Sequence, residues 1–148
     1  MKNNGGKWDV IGMSLYPSWY KTAGDWQNAN KDCLTNMNDM VARYNKEVMV
    51  VECGMSWDNA ETSKLFLTDL IAKTKSVSGG KGTGVFYWEP QCYGNWQGYS
   101  LGAFDNSGKP TIALDAFKTA TDISIINETK FEWYFDHLKN AIIFPNDY

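Results

Sequence analysis

Three short apolar segments, each followed by a helix-like segment, limit the folds open to this chain more than any other feature. The strand-like segments are residues 8–17 (WDVIGMSLYP), 47–51 (EVMVV) and 84–90 (GVFYWEP). The helix-like segments are residues 25–45, 58–76 and 109–120. Alternation of strands and helices produces parallel strands joined by right-handed crossovers. The order therefore predicts an α/β fold with a parallel sheet.

Apolar residues at three- and four-residue spacing support the first two helices. In the first they are Trp26, Ala29, Cys33, Met37, Met40, Val41 and Tyr44, and in the second Leu67, Leu70, Ile71 and Thr74. Asp58 and Glu61 are three residues apart, which suggests a capping box at the start of the second helix. Pro110 is expected in the first turn of the third helix, where proline is favoured.

Glu52 follows directly on four apolar residues, Val48 to Val51. An ionised carboxylate is costly to bury unless it is paired or hydrogen-bonded. Either Glu52 faces a polar cavity, or the strand ends there. Both alternatives place the carboxylate at the C-terminal end of a strand, where α/β proteins bind ligands.

The other two strand-like segments also end in polar or aromatic residues. Ser14 and Tyr16 close the first, and Trp88 and Glu89 close the third. One edge of the sheet is therefore expected to collect the chemically useful side chains, as the active face of a (β/α) barrel does. Three strand–helix units are fewer than the eight of a complete barrel, which takes about 250 residues.

Composition excludes several classes of function. The 148 residues suffice for one domain, and a net charge of -3 argues against a nucleic-acid partner. No apolar run approaches the length that spans a membrane, and the opening residues lack the apolar core of a signal peptide. Three scattered cysteines and one histidine do not form a metal-binding pattern. We expect no cofactor and no metal.

The segments WDVIGMSLYPSW, VMVVECGMSW and GVFYWEP resemble three successive segments of glycoside hydrolase family 53. These enzymes are the arabinogalactan endo-β-1,4-galactanases of clan A, and the similarity runs from about residue 7 to residue 118. The resemblance implies strands six to eight of a (β/α)8 barrel. It also implies retaining hydrolysis of β-1,4-galactan or arabinogalactan, with oligosaccharides of these polymers as the binding partners.

The same resemblance assigns roles to individual residues. Glu52 matches the nucleophile at the end of strand seven, Tyr16 the tyrosine that supports it, and Trp88 the tryptophan under the sugar ring. Cys53 stands where the family usually has threonine. The predicted site thus has Glu52 as the catalytic residue, with substrate contacts from the strand ends and the loop after strand eight. The resemblance supplies Tyr16 and Trp88, and position at a strand end or in the loop after strand eight adds Ser14, Glu89 and Trp96.

The family's acid/base glutamate belongs to an Asn-Glu pair at the end of strand four. The only Asn-Glu pair here is Asn127–Glu128. Residues 1–120 are therefore expected to be the C-terminal part of a galactanase barrel, and residues 121–148 an extension of unknown packing. We expect the isolated chain to be inactive. Full-length relatives are expected to be secreted, periplasmic or on the cell surface, and the location of this chain is left open.

Two other functions remain open from the sequence. The chain could be a galactan-binding or structural remnant without turnover. It could also assemble with a separate N-terminal barrel part, or with a second copy, because an open parallel sheet leaves unpaired edges. Glu89, at the end of the strand neighbouring Glu52, is a weaker alternative for the missing acid.

Several other residues allow two interpretations. Tyr93, Trp96 and Tyr99 could form a sugar platform or simply the core of their own loop, and Trp19 and Trp57 could line the cleft or shield strand ends. In the tail, residues 122–126 are predicted as a strand and residues 128–142 as a helix.

Overall fold

The structure is a computed structural model and describes residues 4–120, 134–136 and 141–143. In chain order its strands and α-helices are β1 (Val10–Leu15), α1 (Trp26–Tyr44), β2 (Glu47–Cys53), α2 (Ala60–Lys75), β3 (Gly82–Val85), α3 (Asp115–Ala120), β4 (Tyr134–Asp136) and β5 (Ala141–Ile143). Strands β1, β2 and β3 pair in parallel, in that order. The predicted alternation of strand and helix is confirmed.

The first two helices cover one face of this sheet. Helix α1 begins where the Asp25 carboxylate accepts the Asn28 backbone N–H at 3.2 Å, and it ends at Asn45, which takes the left-handed conformation. Its buried side includes Cys33 and Met37, and that of α2 includes Phe66. These side chains meet the inward side chains of the strands in one core, as the helical spacing predicts.

Three boundaries differ from the sequence prediction. Helix α2 has no Asp58 capping box, because the Asp58 carboxylate accepts the Ser56 hydroxyl at 2.7 Å and Asn59 precedes the helix. Strand β3 starts at Gly82, two residues before the predicted segment 84–90, and ends before the FYWEP segment. Pro110 lies outside the third helix, which starts at Asp115 after a 3₁₀ turn at Ile112–Leu114.

The helix predicted over residues 128–142 is wrong for the part that the structure describes. Strands β4 and β5 pair antiparallel, with Phe135 opposite Ile142. The aromatic and β-branched residues of these segments favour strands, and this preference outweighs the helical spacing. The strand predicted at residues 122–126, the Asn127–Glu128 pair and His137 lie outside the described residues.

The second face of the three-stranded sheet has no covering layer within the described residues. Val10, Val51 and Phe86, one from each strand or its continuation, are large apolar side chains exposed on the surface. Val48 and Val50, by contrast, are completely buried under the helices. The two faces of the sheet therefore differ sharply in exposure, and the carboxylate of interest lies on the exposed one. Within the described residues, no helix is long and apolar enough to cross a membrane.

Candidate active site

A β-bulge at Val51 determines where the Glu52 side chain points. Met13 pairs with Val50 but Ser14 pairs with Glu52, so Val51 has no partner in the ladder. Side chains alternate between faces along a strand, and a one-residue shift reverses that alternation. Without the bulge, Glu52 would point to the same side as Val50, into the helix-covered core. With the bulge it joins Ser14 on the uncovered face.

A glycine near the bulge, on the neighbouring strand, makes room for the Val51 side chain. A Cβ atom on Gly12 would lie 2.8 Å from Cγ1 of Val51 and 2.9 Å from its Cγ2. These distances are shorter than ordinary van der Waals contacts, so a side chain at position 12 would push against the bulged residue. Gly12 and Val51 together allow a run of apolar residues to end in an accessible carboxylate.

Two hydroxyl groups hold the Glu52 carboxylate. The Tyr16 hydroxyl donates to Oε1 at 2.6 Å, and the Ser14 hydroxyl donates to Oε2 at 3.3 Å. Hydrogen bonds to an ionised acceptor are stronger than those between neutral groups. Both donors come from β1 and the residues after it, so pairing of β1 with β2 orients the carboxylate.

Tyr16 is suited to remain a donor. Burial, and next the hydrogen bond to Glu52, raise the pKa of Tyr16 well above its usual range, and Tyr99 raises it further. The phenol therefore stays protonated throughout the physiological pH range, and its proton remains available to one oxygen of the carboxylate. The Tyr16 ring also contacts the ring of Trp19, with centroids 4.5 Å apart.

The residues after β3 continue along β2 beyond the strand itself. The Trp88 backbone N–H donates to the Cys53 carbonyl at 2.8 Å, which brings Trp88 beside the residue that follows Glu52. The Trp88 side chain is 47% exposed. Tyr99 fixes this segment, because its hydroxyl donates to the Trp88 carbonyl at 3.1 Å. An accessible indole thus stands next to the strand end that bears the carboxylate.

Tyr87 links the loops beneath this site. Its hydroxyl lies 2.9 Å from the Leu101 carbonyl, 3.0 Å from the Gly102 carbonyl and 3.2 Å from the Met55 carbonyl. Burial raises the pKa of Tyr87 far above its usual range, so the group remains a neutral donor. The sequence interpretation did not single out this residue. The alternation in VFYW, with Val85 and Tyr87 inward, was the signal that could have found it.

We expect Tyr87→Phe to lower the free energy of unfolding by about 1–3 kcal/mol, because it removes the single hydroxyl proton that these partly buried carbonyls share. The matched control is Tyr93→Phe, whose side chain is 53% exposed and which should change stability by less than about 0.5 kcal/mol. Urea unfolding followed by tryptophan fluorescence measures both. Equal stability of the two variants would show that the Tyr87 hydroxyl does not hold the loops.

The Glu89 carboxylate makes its hydrogen bonds within its own loop, and not with Glu52, Ser14 or Tyr16. Its carboxylate accepts the Gln91 amide at 3.2 Å and the Cys92 thiol at 3.4 Å, and its backbone has a φ of 47°. With Tyr93 and Trp96 these residues line a cleft of about 330 Å³. The structure thus places Glu89 and Trp96 together in the loop after β3, and Ser14, Tyr16 and Glu52 together at the sheet edge.

A second cleft, of about 430 Å³, lies among the loops that follow all three strands. Its lining includes Ser18 and Trp19 from the first loop, Ser56 from the second, and Tyr99 and Ser100 from the third. Trp57, which the sequence also offered as a cleft residue, does not line it, although the Trp57 backbone N–H donates to the Ser100 carbonyl at 3.2 Å. We name this the Trp19 cleft.

At this edge of the sheet, Glu52 is a better candidate nucleophile than the neighbouring Cys53 thiol. Burial raises the pKa of Cys53 to about 12, and its thiol donates to the Phe86 carbonyl at 3.3 Å. A thiol with so high a pKa stays protonated and is a poor nucleophile at neutral pH. Among the described residues, no group of three or more potential metal ligands is present. An oriented carboxylate beside an accessible indole suits attack on a sugar, whose apolar face stacks on aromatic rings.

Comparison with known proteins identifies relatives of this chain. A sequence model of glycosyl hydrolase family 53 matches residues 1–117. A Niallia circulans protein, described as an uncharacterized protein in the bgaB 5′ region, is 29% identical over 94% of this chain and 43% of its own length. The arabinogalactan endo-β-1,4-galactanase of Cellvibrio japonicus is 28% identical over 74% of this chain and 35% of its own length. The chain spans less than half the length of these relatives.

Solved structures agree on the fold. A structure of fungal β-1,4-galactanases has 26% identity and a TM-score of 0.60, and covers 75% of this chain and 38% of the fungal chain. The GH53 catalytic domain of Ignisphaera aggregans has 22% identity and a TM-score of 0.64, over 82% of this chain and 41% of that one. The predicted partial (β/α)8 barrel is thereby confirmed.

Proposed function

The chain belongs to glycosyl hydrolase family 53, and from that premise we propose that it is the nucleophile-bearing part of a β-1,4-galactanase active face. The observation that supports this most directly is the Glu52 carboxylate, held by the Tyr16 and Ser14 hydroxyls on the uncovered face of the sheet. Its substrate would be a β-1,4-galactan or arabinogalactan chain, with Trp88 beneath the sugar ring.

The proposed chemistry is a retaining double displacement. Glu52 attacks the anomeric carbon and forms a glycosyl–enzyme bond while the leaving oxygen takes a proton from a second carboxylic acid. That acid then acts as a base toward a water molecule, which releases the sugar and regenerates Glu52. The hydrogen bond from Tyr16 holds the attacking carboxylate in one orientation before each turnover.

The second carboxyl group of a retaining enzyme lies about 5–5.5 Å from the nucleophile. The Glu89 carboxylate is engaged with Gln91 and Cys92, so its hydrogen bonds do not favour it as the acid. We assign the acid to a barrel segment that packs on the uncovered face, over Val51 and Phe86. Removing apolar surface of this kind from water is favourable in free energy, so packing of such a segment would be stabilising.

The partner that fits this face is the N-terminal part of a (β/α)8 barrel. Two copies of the described sheet would bring six parallel strands together, whereas closure of this barrel requires eight. A second copy therefore suits the face less well than a segment carrying strands one to five. Without that segment, the chain would act as a galactan-binding module without turnover, which is the second candidate function.

Both candidate functions require that the chain binds galactan, and a binding measurement with galactan oligosaccharides tests this requirement. We expect the 148-residue chain to bind β-1,4-galactotetraose weakly and Trp88→Ala to lower the affinity about tenfold or more, because aromatic anchors dominate such contacts. Titration calorimetry measures the affinity, after circular dichroism has shown that both proteins are folded.

The control is Leu65→Ala, which removes an exposed apolar side chain from α2, away from the strand ends. It should leave the affinity unchanged. A folded Trp88→Ala variant that binds as tightly as the unmodified chain would exclude Trp88 as the sugar platform.

A further inference from the structure

Gly54 lies two residues after Glu52, at a point where the loops that follow all three strands converge. A Cβ atom on Gly54 would lie 3.0 Å from the Tyr99 hydroxyl and 3.1 Å from Cε1 of Tyr16. It would also lie 2.8 Å from the Leu101 carbonyl oxygen. A side chain at position 54 would therefore push these groups apart. Because glycine has none, the Tyr99 hydroxyl and the Tyr16 ring approach the same point.

Tyr99 is fixed to the segment that follows β3. Its hydroxyl donates to the Trp88 carbonyl at 3.1 Å and lies 3.5 Å from the Leu101 carbonyl. Its backbone N–H donates to the Trp96 carbonyl at 2.9 Å. Hydrogen bonds at both ends of the residue thus define where its ring lies, and the ring is half-buried.

Both phenols keep their protons at neutral pH. Burial, and to a smaller degree the Glu52 carboxylate, raise the pKa of Tyr99 to about 12. Tyr99 in turn adds to the rise in the pKa of Tyr16 that burial and Glu52 cause. Glu52, Tyr16 and Tyr99 therefore form one set of neighbouring groups, in which the two phenols remain neutral donors.

The Tyr16 ring needs support from the side of Tyr99. Its hydroxyl donates to Oε1 of Glu52 at 2.6 Å. On another side it contacts Trp19, but that indole is itself 73% exposed, so little protein lies behind it. Cε1 of Tyr16, the atom nearest to Gly54, is bonded to the carbon that bears the hydroxyl. Contact at this atom therefore limits the movement of the phenol away from the carboxylate.

We propose that Tyr99 is a positioning residue for the nucleophile, because it holds the Tyr16 phenol against the Glu52 carboxylate. This rests on the proposed function, in which Glu52 attacks the sugar. Attacking groups are kept in a productive orientation by neighbours that are themselves fixed by packing and hydrogen bonds. Since Tyr99 also bonds the Trp88 carbonyl, one side chain joins the proposed sugar platform to the proposed nucleophile.

Carbon-13 nuclear magnetic resonance of the full 148-residue chain tests this without any sugar. Labels at tyrosine Cζ and glutamate Cδ give signals for Tyr16 and Glu52, which are identified by their loss in Tyr16→Phe and Glu52→Gln. Tyr99→Phe removes only the hydroxyl and should shift both signals. In a chain that already carries Tyr16→Phe, Tyr99→Phe should no longer shift the Glu52 signal, because its effect passes through Tyr16.

Tyr20→Phe is the matched control. Tyr20 also follows β1, and its hydroxyl also donates to a carboxylate, that of Asp32 on α1, at 2.6 Å. Tyr20→Phe should therefore leave the Tyr16 and Glu52 signals in place. An equal shift of the Glu52 signal in Tyr20→Phe and Tyr99→Phe would indicate a general response of the loops and would overturn the proposal.

The remaining outcomes separate this proposal from the proposed function. If folded Tyr99→Phe leaves the Glu52 signal unchanged, Tyr99 holds only its own loop, the positioning role is excluded and the proposed function stands. If the signals shift as expected but the chain does not bind galactotetraose, the proposed function fails and the support of the carboxylate by Tyr99 stands. If Tyr99→Phe does not fold, nuclear Overhauser contacts in the unmodified chain decide. The Gly54 α protons should contact both rings, and the absence of either contact would overturn the proposal.

Discussion

Glu52→Gln is expected to abolish galactan hydrolysis by a completed barrel. In that protein, the first five strand–helix units of the Cellvibrio japonicus galactanase are fused ahead of residues 7–118 of this chain. Glutamine keeps the shape of glutamate and can still lie beside Tyr16 and Ser14, but it cannot form the glycosyl–enzyme bond. Loss of a hydrolase nucleophile typically lowers kcat by about 10⁴-fold or more. Release of reducing sugar from β-1,4-galactan measures the loss.

Glu47→Gln is the matched control, because Glu47 begins the strand in which Glu52 is the penultimate residue. Glu47 is exposed and pairs with Val10, so the same chemical change occurs at the N-terminal ends of the same two strands. The control should retain activity. If the Glu52→Gln fusion retained more than about one hundredth of the activity of the unmodified fusion, the nucleophile would be another residue. Glu89 would then be the next residue to replace.

The unmodified 148-residue chain is the baseline of the same experiment. It should release little or no sugar, because general acid assistance to the leaving group contributes about 10²–10⁴-fold. The fusion also restores the other wall of the substrate cleft, and with it the positioning of the scissile bond. Strong activity of the unfused chain would contradict the assignment of the acid to another barrel segment.

Much of the fold follows from local pattern. The spacing of Cys33 and Met37 identifies the buried side of α1, and that of Leu67 and Leu70 the buried side of α2. The alternation of strand and helix then dictates parallel pairing, which brings the strand ends to one edge. Ser14, Tyr16 and Glu52 meet there because they lie at the C-terminal ends of two strands that are neighbours along the chain.

The bulge at Val51 could not be predicted from the same pattern. In the sequence, Glu52 has even spacing from Val48 and Val50, which places it on the core side of a regular strand. Only the pairing with β1 shows that Ser14 lies opposite Glu52 and that Val51 is skipped. Register between strands is a tertiary property, and no feature of a single strand specifies where its partner shifts.

Aromatic loops posed a different difficulty. Trp96 and Tyr99 are three residues apart in one loop, yet Trp96 lines the cleft with Glu89 while Tyr99 fixes the Trp88 backbone. Between them, Gln97 and Gly98 both have positive φ angles, which change the direction of the chain. Composition predicts that such a loop is rich in sugar-binding side chains, but backbone geometry decides which ring faces which cleft.

Gly82→Ala should strongly destabilise the chain, and Gly84→Ala should not. Both glycines lie in β3. A Cβ atom on Gly82 would lie 1.8 Å from the Thr74 carbonyl oxygen and 3.0 Å from Cβ of Val77, whereas a Cβ on Gly84 meets no atom within 4 Å. Overpacking typically costs about 1–3 kcal/mol, and the rigid Thr74 backbone places Gly82→Ala at or above the upper end.

The Gly84 variant is expected to be neutral or slightly more stable, because alanine has less conformational freedom than glycine in the unfolded chain. Urea unfolding of the two variants measures the difference, and equal stabilities would show that α2 can move away from β3 at little cost.

The close approach of Gly82 to the Thr74 backbone also matters for the site. Val48 pairs with Gly82 and the Phe86 backbone N–H donates to the Val50 carbonyl, so the start of β3 sets the path that delivers Trp88 to the Cys53 carbonyl. Displacement of Gly82 should therefore weaken galactotetraose binding in the fraction that remains folded, although residue 82 lies at the opposite end of the strand from the carboxylate.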